Sequence, residues 1–277
     1  MTRILCLHGY GTSGAIFEAQ TSMILCLTPI LMLLLVDDTV SAALVRRFLN
    51  TAVEDDYQFD FVDGPNPLSS SADGMQLFYR PPYFSYWPLS HSIDDIAAAR
   101  RWLTSYMSER DPYDGIMMFS QGCTLGMSTL MYSEQESTAG SPPFKFAIFI
   151  CGLPSLEELH QVFGFTVHSE AWEWNKMTEL DEQPAALFHD AAYENAELDD
   201  LVTERFRPLL AGPCLVNIPT AHIVGARDPL YIHGLLLASL CNPNLRRIFD
   251  HGGGHEIPRN KTTSPQIAEL IRWVSSE

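Results

Sequence analysis

Three residues of this 277-residue chain have types and placements that suit nucleophilic chemistry: Ser120, Asp228 and His255. Ser120 sits in Met118-Phe119-Ser120-Gln121-Gly122, between an apolar run that predicts a strand (Gly115 to Phe119) and a pattern that predicts a helix (Gln121 to Tyr132). A serine on a sharp strand-to-helix turn exposes its hydroxyl at the positive end of the helix. Asp228 follows the strand-like Ala221-His222-Ile223-Val224. His255 comes 27 residues later, at the end of His251-Gly252-Gly253-Gly254-His255. An acid and a histidine carried on loops after strands could orient and supply a general base for that hydroxyl. Gly9-Tyr10, after the first strand, is placed to offer the Tyr10 N–H to a developing oxyanion, with the Gln121 N–H as the other donor.

Each residue also has an ordinary reading. Ser120 could be a helix N-cap, since Ser-Gln-Gly tripeptides are common in loops. Asp228 could be a turn acid before Pro229, with Asp250 and other acids as rivals, and His255 could be structural. His8 and His222 read as satisfied core histidines beside a sheet. His251 and His255 stand at metal-pair spacing, but three intervening glycines oppose a helix and no carboxylate or cysteine cluster completes a shell. His251-Gly252-Gly253-Gly254 also mimics an oxyanion loop, yet it falls after the serine, where such a loop cannot serve. The glycine-rich loops lack a nucleotide-binding order. No metal and no cofactor are expected. Four compatible elements in chain order outweigh any of these alternatives taken singly.

The elements that must position these residues alternate. Strands are expected at Ile4–Leu7, Tyr57–Val62, Gly115–Phe119, Phe146–Cys151, Ala221–Val224 and Arg246–Phe249. Helices are expected from Ser92 to about Arg110, over Gln121–Tyr132, over Tyr231–Leu240 and over Pro265–Val274. That rhythm implies an α/β domain spanning 1–277, with a mainly parallel sheet and helices on both faces. Two stretches break it. Residues 153–217 read as an inserted cap, and from Glu157 to Glu204 they hold 13 acids and one base, Lys176. Most of the formal charge of −17 therefore belongs to one segment, and its sign opposes nucleic acid and anionic lipid as partners. The other stretch, 23–42, is strongly apolar from Met23 to Val36. As a helix that run would span about 21 Å, short of the hydrocarbon core, so a membrane span is not expected. Six scattered cysteines without a CxxC pair and a chain that starts directly on a strand suit reduced thiols and a cytoplasmic location.

Ile4-Leu5-Cys6-Leu7-His8-Gly9, Phe61-Val62-Asp63-Gly64-Pro65, Phe119-Ser120-Gln121-Gly122, Phe144 to Phe149 and His255-Glu256-Ile257-Pro258 together resemble the fungal serine hydrolase family. That family includes the human ovarian-cancer-gene-2 hydrolase and esterases of fungal polyketide and toxin pathways. The resemblance runs from end to end. It implies an α/β-hydrolase fold, no cofactor, and cleavage of an ester or thioester by Ser120, Asp228 and His255. Its substrate would be a small acyl ester or thioester, which a carrier protein could present. The Phe119-Ser120-Gln121-Gly122 turn also resembles acyl-protein thioesterases. Two features depart from the family. Met118 replaces a small residue, and overpacking there would cost about 1–3 kcal/mol unless neighbours make room. Removing about twenty residues after Ser22 restores the family's continuity, so 23–42 reads as an intron translated in frame. A non-catalytic binding protein on the same fold is the competing class. The loop from Pro65 to Pro88, with Phe78, Tyr79, Tyr83, Phe84, Tyr86 and Trp87, is expected to wall the substrate pocket together with the acidic cap.

Overall fold

A computed structural model describes residues 1–25, 57–71, 75–136, 142–177, 195–212, 216–260 and 262–277. The apolar stretch at 23–42 lies, beyond Leu25, outside the described residues, as do 178–194 and 213–215 of the stretch read as a cap.

The chain begins with β1 (Thr2–Leu7) and α1 (Gly14–Leu25), followed by β2 (Tyr57–Val62). The short strands β3 (Asn66–Leu68) and β4 (Tyr83–Ser85) pair antiparallel beside the site. Next come α2 (Ile93–Ser108), β5 (Gly115–Phe119), α3 (Gln121–Glu136) and β6 (Phe146–Ile150). The acidic stretch contributes α4 (Leu156–Gln161), β7 (Thr166–Val167), α5 (Ser169–Met177), α6 (Asn195–Leu201) and β8 (Leu210–Ala211). The chain closes with β9 (Thr220–Val224), α7 (Tyr231–Ser239), β10 (Arg246–Asp250) and α8 (Thr263–Ser276).

Six strands form one parallel sheet in the order β10-β9-β6-β5-β1-β2. Strands β5, β6 and β9 are buried along their whole length, which is why β5 and β6 read in sequence as continuous apolar runs rather than alternating ones, while β9 buries Thr220 and His222 as well. Two apolar layers cover the sheet. One holds Phe17 of α1 with Ile267, Ile271 and Val274 of α8. The other holds Ile96 and Leu103 of α2, Leu125 and Met131 of α3, and Leu235 to Leu237 of α7. The acidic stretch joins this second layer through Leu159, Phe163, Phe165, Leu198, Val202 and Phe206. Among its described residues, these apolar side chains thus face the body while most of the acids are left to solvent.

Parallel register brings the strands' carboxyl ends to one edge: Leu7 pairs with Val62 and Met118, Met118 with Phe149, Ile150 with Ile223, and Val224 with Asp250. The loops after β1, β5, β6, β9 and β10 therefore converge, and these carry Tyr10, Ser120, Cys151, Asp228 and His255. The chain leaves β1 for β2 on one side and returns to β5 on the other. Such a switch in direction opens a crevice at the strand ends of a parallel sheet.

Element ends differ from the sequence expectation where backbone geometry decides. Cys151 does not extend β6, because it turns to φ +47°. Helix α3 runs past Tyr132 to Glu136, its last turn carried by polar residues after the apolar pattern has stopped. Ser92 starts α2 through a capping box, its hydroxyl accepting from the Asp95 N–H while the Asp95 carboxylate accepts from the Ser92 N–H at 2.8 Å.

Candidate active site

Ser120 occupies the turn between β5 and α3 at φ +51°, a left-handed conformation that a serine adopts only under local constraint. The constraint comes from both sides. The Ser120 N–H donates to the Ile150 carbonyl at 3.1 Å, and the Ser120 carbonyl accepts from the Cys123 N–H at 2.8 Å. A Cβ on Gly122 would lie 2.5 Å from the Leu7 carbonyl oxygen, so glycine is required for α3 to start this close to β1. Gly9 is needed in the same way, since a Cβ there would meet the Phe119 ring at 2.8 Å.

Ser120 Oγ lies 2.9 Å from His255 Nε2, and His255 Nδ1 lies 2.9 Å from Asp228 Oδ2. The other Asp228 oxygen accepts from the Leu230 N–H at 2.8 Å. A carboxylate can only accept, so His255 carries its proton on Nδ1 and presents a bare Nε2 to the serine hydroxyl. The Asp228 side chain is buried, whereas that of His255 is 31% exposed, which leaves the reacting end of the chain open to a ligand. Phe119 packs against the His255 ring with centroids 5.2 Å apart.

Asp250, the rival acid, has another role: its Oδ1 accepts from the Ala226 N–H at 2.9 Å and the Gly252 N–H at 2.7 Å. It fastens the loop of Asp228 to the loop of His255. His251 Nδ1 accepts from the Gly253 N–H, so its Nε2–H faces Cys151 Sγ, 3.8 Å away. The Cys151 thiol donates to the Glu256 carbonyl at 3.5 Å, and burial, reinforced by Asp228, pushes its pKa well up and keeps it protonated. Cys151, Asp228 and His255 place potential ligand atoms within 4.8 Å of one another. Both His255 nitrogens are engaged and the thiol is protonated, so this cluster is a hydrogen-bonded array rather than an open ligand set. Sequence reasoning passed over Cys151 and the support from His251, because neither belongs to a recognisable pattern.

His8 donates from Nδ1 to the Gly9 carbonyl at 2.6 Å, accepts at Nε2 from the Gly64 N–H at 2.9 Å, and stacks on Tyr86. Burial lowers its pKa to about 4, so it is a neutral clamp on the Gly9-Tyr10 loop. His222 is less fully satisfied: it contacts Thr220 Oγ1 at 3.1 Å and stacks on Phe149, while its Nδ1 has no partner among the described residues.

Tyr10, Ser120 and Gln121 border a cavity of about 390 Å³. Its walls come from Trp87, Leu89, Ser90 and His91 on one segment and from residues 153–157 on another, with Thr124 and Leu230 completing it. The aromatic loop therefore contributes less of the wall than the sequence suggests. Of its six aromatics, Trp87 borders the cavity, Tyr83 and Tyr86 are buried in the body, and Phe78 is 79% exposed. The Gln121 side chain holds that wall: its Oε1 accepts from the Tyr86 N–H at 3.0 Å and its Nε2 donates to the Trp87 carbonyl at 2.9 Å. The sequence pointed to Gln121 for its backbone N–H alone.

Met118 also finds its room. The side chain is fully buried, and its sulfur lies where a Cβ on Gly126 of α3 would fall, 1.9 Å from that position. A glycine six residues beyond the serine thus accommodates the bulk that the turn's usual small residue would not bring.

The esterase FPY3 of Fusarium mangiferae is 29% identical over 258 residues, covering 93% of this chain and 88% of the relative. The esterase alnB of Emericella nidulans is 27% identical over 305 residues, covering 99% and 96%. Among solved structures, a carboxylesterase from Mesorhizobium loti superposes with a TM-score of 0.50 at 12% identity, over 98% of this chain and 88% of that one, a likeness of fold. The serine hydrolase (FSH1) family model matches residues 1–267. That match takes in all six strands of the sheet and each of the loops that meet at Ser120, and the chain belongs to the serine hydrolase (FSH1) family.

Proposed function

We propose that Ser120 is the nucleophile of this serine hydrolase, His255 its general base and Asp228 the acid that fixes the imidazole. The unbroken chain from Ser120 Oγ through His255 to Asp228, with both contacts at 2.9 Å, carries the reading. His255 Nε2 takes the hydroxyl proton as Oγ attacks the carbonyl of an ester or thioester. The carbonyl oxygen becomes an oxyanion facing the N–H groups of Tyr10 and Gln121, each donor worth about 3 kcal/mol in comparable sites. The C–O or C–S bond then breaks, and the leaving group departs with the proton from His255. Water attacks the acyl-enzyme with His255 again as base, which releases the acid and restores Ser120.

The substrate is a small-molecule acyl ester, and a thioester presented by a carrier protein is the finer alternative that shares this chemistry. The family resemblance supports a place in secondary metabolism, and the buried free thiols of Cys6, Cys123, Cys151 and Cys241 suit a cytoplasmic one. No helix among the described residues is long and apolar enough to cross a membrane. The acidic stretch 153–217 acts as a cap through its first turn, which walls the cavity, and 23–42 is an insertion relative to the family. Ser120→Ala is expected to lower nitrophenyl-ester hydrolysis by at least about a thousandfold and to abolish labelling by a fluorophosphonate. Equal labelling of variant and native protein would defeat the assignment.

A further inference from the structure

The cavity beside Ser120 has an apolar floor, and its rim carries the His91 ring and the Glu157 carboxylate beside the Ser90 and Ser155 hydroxyls. Trp87, Pro154 and Leu156 are buried beneath it, whereas His91 and Glu157 border it and are exposed. His91 Nδ1 lies 3.0 Å from the Leu89 carbonyl, which can only accept, so in the neutral ring that nitrogen carries the proton and Nε2 offers a lone pair. Among the described residues, Glu157 is the one formally charged side chain lining the cavity, and it has no ion-pair partner there. Its neighbour Glu158 turns inward to Arg100 at 2.9 Å and Ser128 at 2.8 Å, and this contact fixes the turn that presents Glu157 outward.

We infer that this cavity binds an apolar acyl group whose far end carries a hydrogen-bond donor, a hydroxyl or an ammonium, and rejects one that ends in a carboxylate. The inference rests on the hydrolase reading above and adds the class of acyl group to it. An apolar chain covers the Trp87 and Leu156 floor, and its terminal donor meets the bare nitrogen of His91 or the carboxylate of Glu157. A terminal carboxylate would face two acceptors and a like charge, an arrangement that selects by repulsion as much as by attraction.

The test uses four nitrophenyl esters of eight-carbon acids that end in methyl, hydroxyl, ammonium or carboxylate. At low salt, kcat/KM for the ammonium ester should exceed that for the carboxylate ester by about tenfold or more, with the gap narrowing as salt is added. Glu157→Lys should reverse the order of those two esters. Glu269→Lys makes the same change in net charge from α8 on the opposite face of the sheet and should leave the order as it was. Equal rates for the charged pair, or a ratio that Glu157→Lys does not move, would overturn the inference while leaving the hydrolase standing. Failure to cleave any of the four would remove the hydrolase reading and this inference with it.

Discussion

A buried methionine and a helical glycine share one volume between β5 and α3, the two elements that flank Ser120. Gly126 gives up about 1 kcal/mol of helix propensity relative to alanine, and the space it leaves is filled by the Met118 sulfur. Gly126→Ala should therefore destabilise the protein by about 1–3 kcal/mol despite the better helix former, because Met118 is fully enclosed and must be displaced. Adding Met118→Ala should recover part of that loss, so that the pair departs from additivity in urea denaturation; strictly additive effects would contradict the shared volume. The same scale shows what a sequence discloses about a site. Ser120, Asp228 and His255 were legible because each follows a strand and the chain order is informative. Cys151, His251 and the Gln121 side chain were not, because their roles arise from loops distant in sequence that meet only after the sheet has formed.

At the scale of elements, the central strands β5 and β6 were legible because parallel, fully covered strands are apolar throughout, and β2 was legible from its alternation. The cavity walls were not, since an aromatic run can be core as readily as lining, and Tyr83 and Tyr86 went to the core. The wall formed by residues 153–157 depends on α4, a helix of six residues too short to hold itself. Its anchor is Glu158, whose carboxylate accepts from Arg100 and Ser128, while Arg100 stacks over the Tyr132 ring at 3.2 Å. Both members of the ion pair are largely buried, with side chains 12% and 4% exposed. Arg100→Met should cost about 3–5 kcal/mol by leaving the carboxylate buried without its partner, and it should weaken substrate binding as the wall loosens. Arg100→Met with Glu158→Leu should regain most of that stability. Denaturant midpoints for the two proteins compare these outcomes, and a double variant no more stable than the single one would refute the account.

For the whole molecule, charge and buried histidines pull stability in different pH ranges. Burial lowers the pKa of His8 and His233 to about 4 and that of His222 to about 3, from an ordinary 6.5. The folded protein thus refuses protons that the unfolded chain accepts, so the stability these groups confer is complete above pH 6.5 and is lost as pH falls toward 4. Each contributes a slope approaching about 1.4 kcal/mol per pH unit in that window, roughly 4 for the three together. Two effects oppose this loss. Protonation of carboxylates relieves the self-repulsion of a chain at −17, but ordinary carboxylates titrate mainly near pH 4, below most of the window. Glu158, whose pKa burial raises, gains stability as pH falls, yet it is one group against three. The urea midpoint should therefore drop between pH 7 and pH 5. His233 isolates the cause, because neither of its ring nitrogens has a hydrogen-bond partner among the described residues. His233→Leu removes a titrating group without orphaning a donor or acceptor, and since burial also lowers the pKa of His251 it should flatten the pH dependence by about a quarter to a third. A slope that His233→Leu leaves unchanged would rule out His233 as a source of the acid sensitivity.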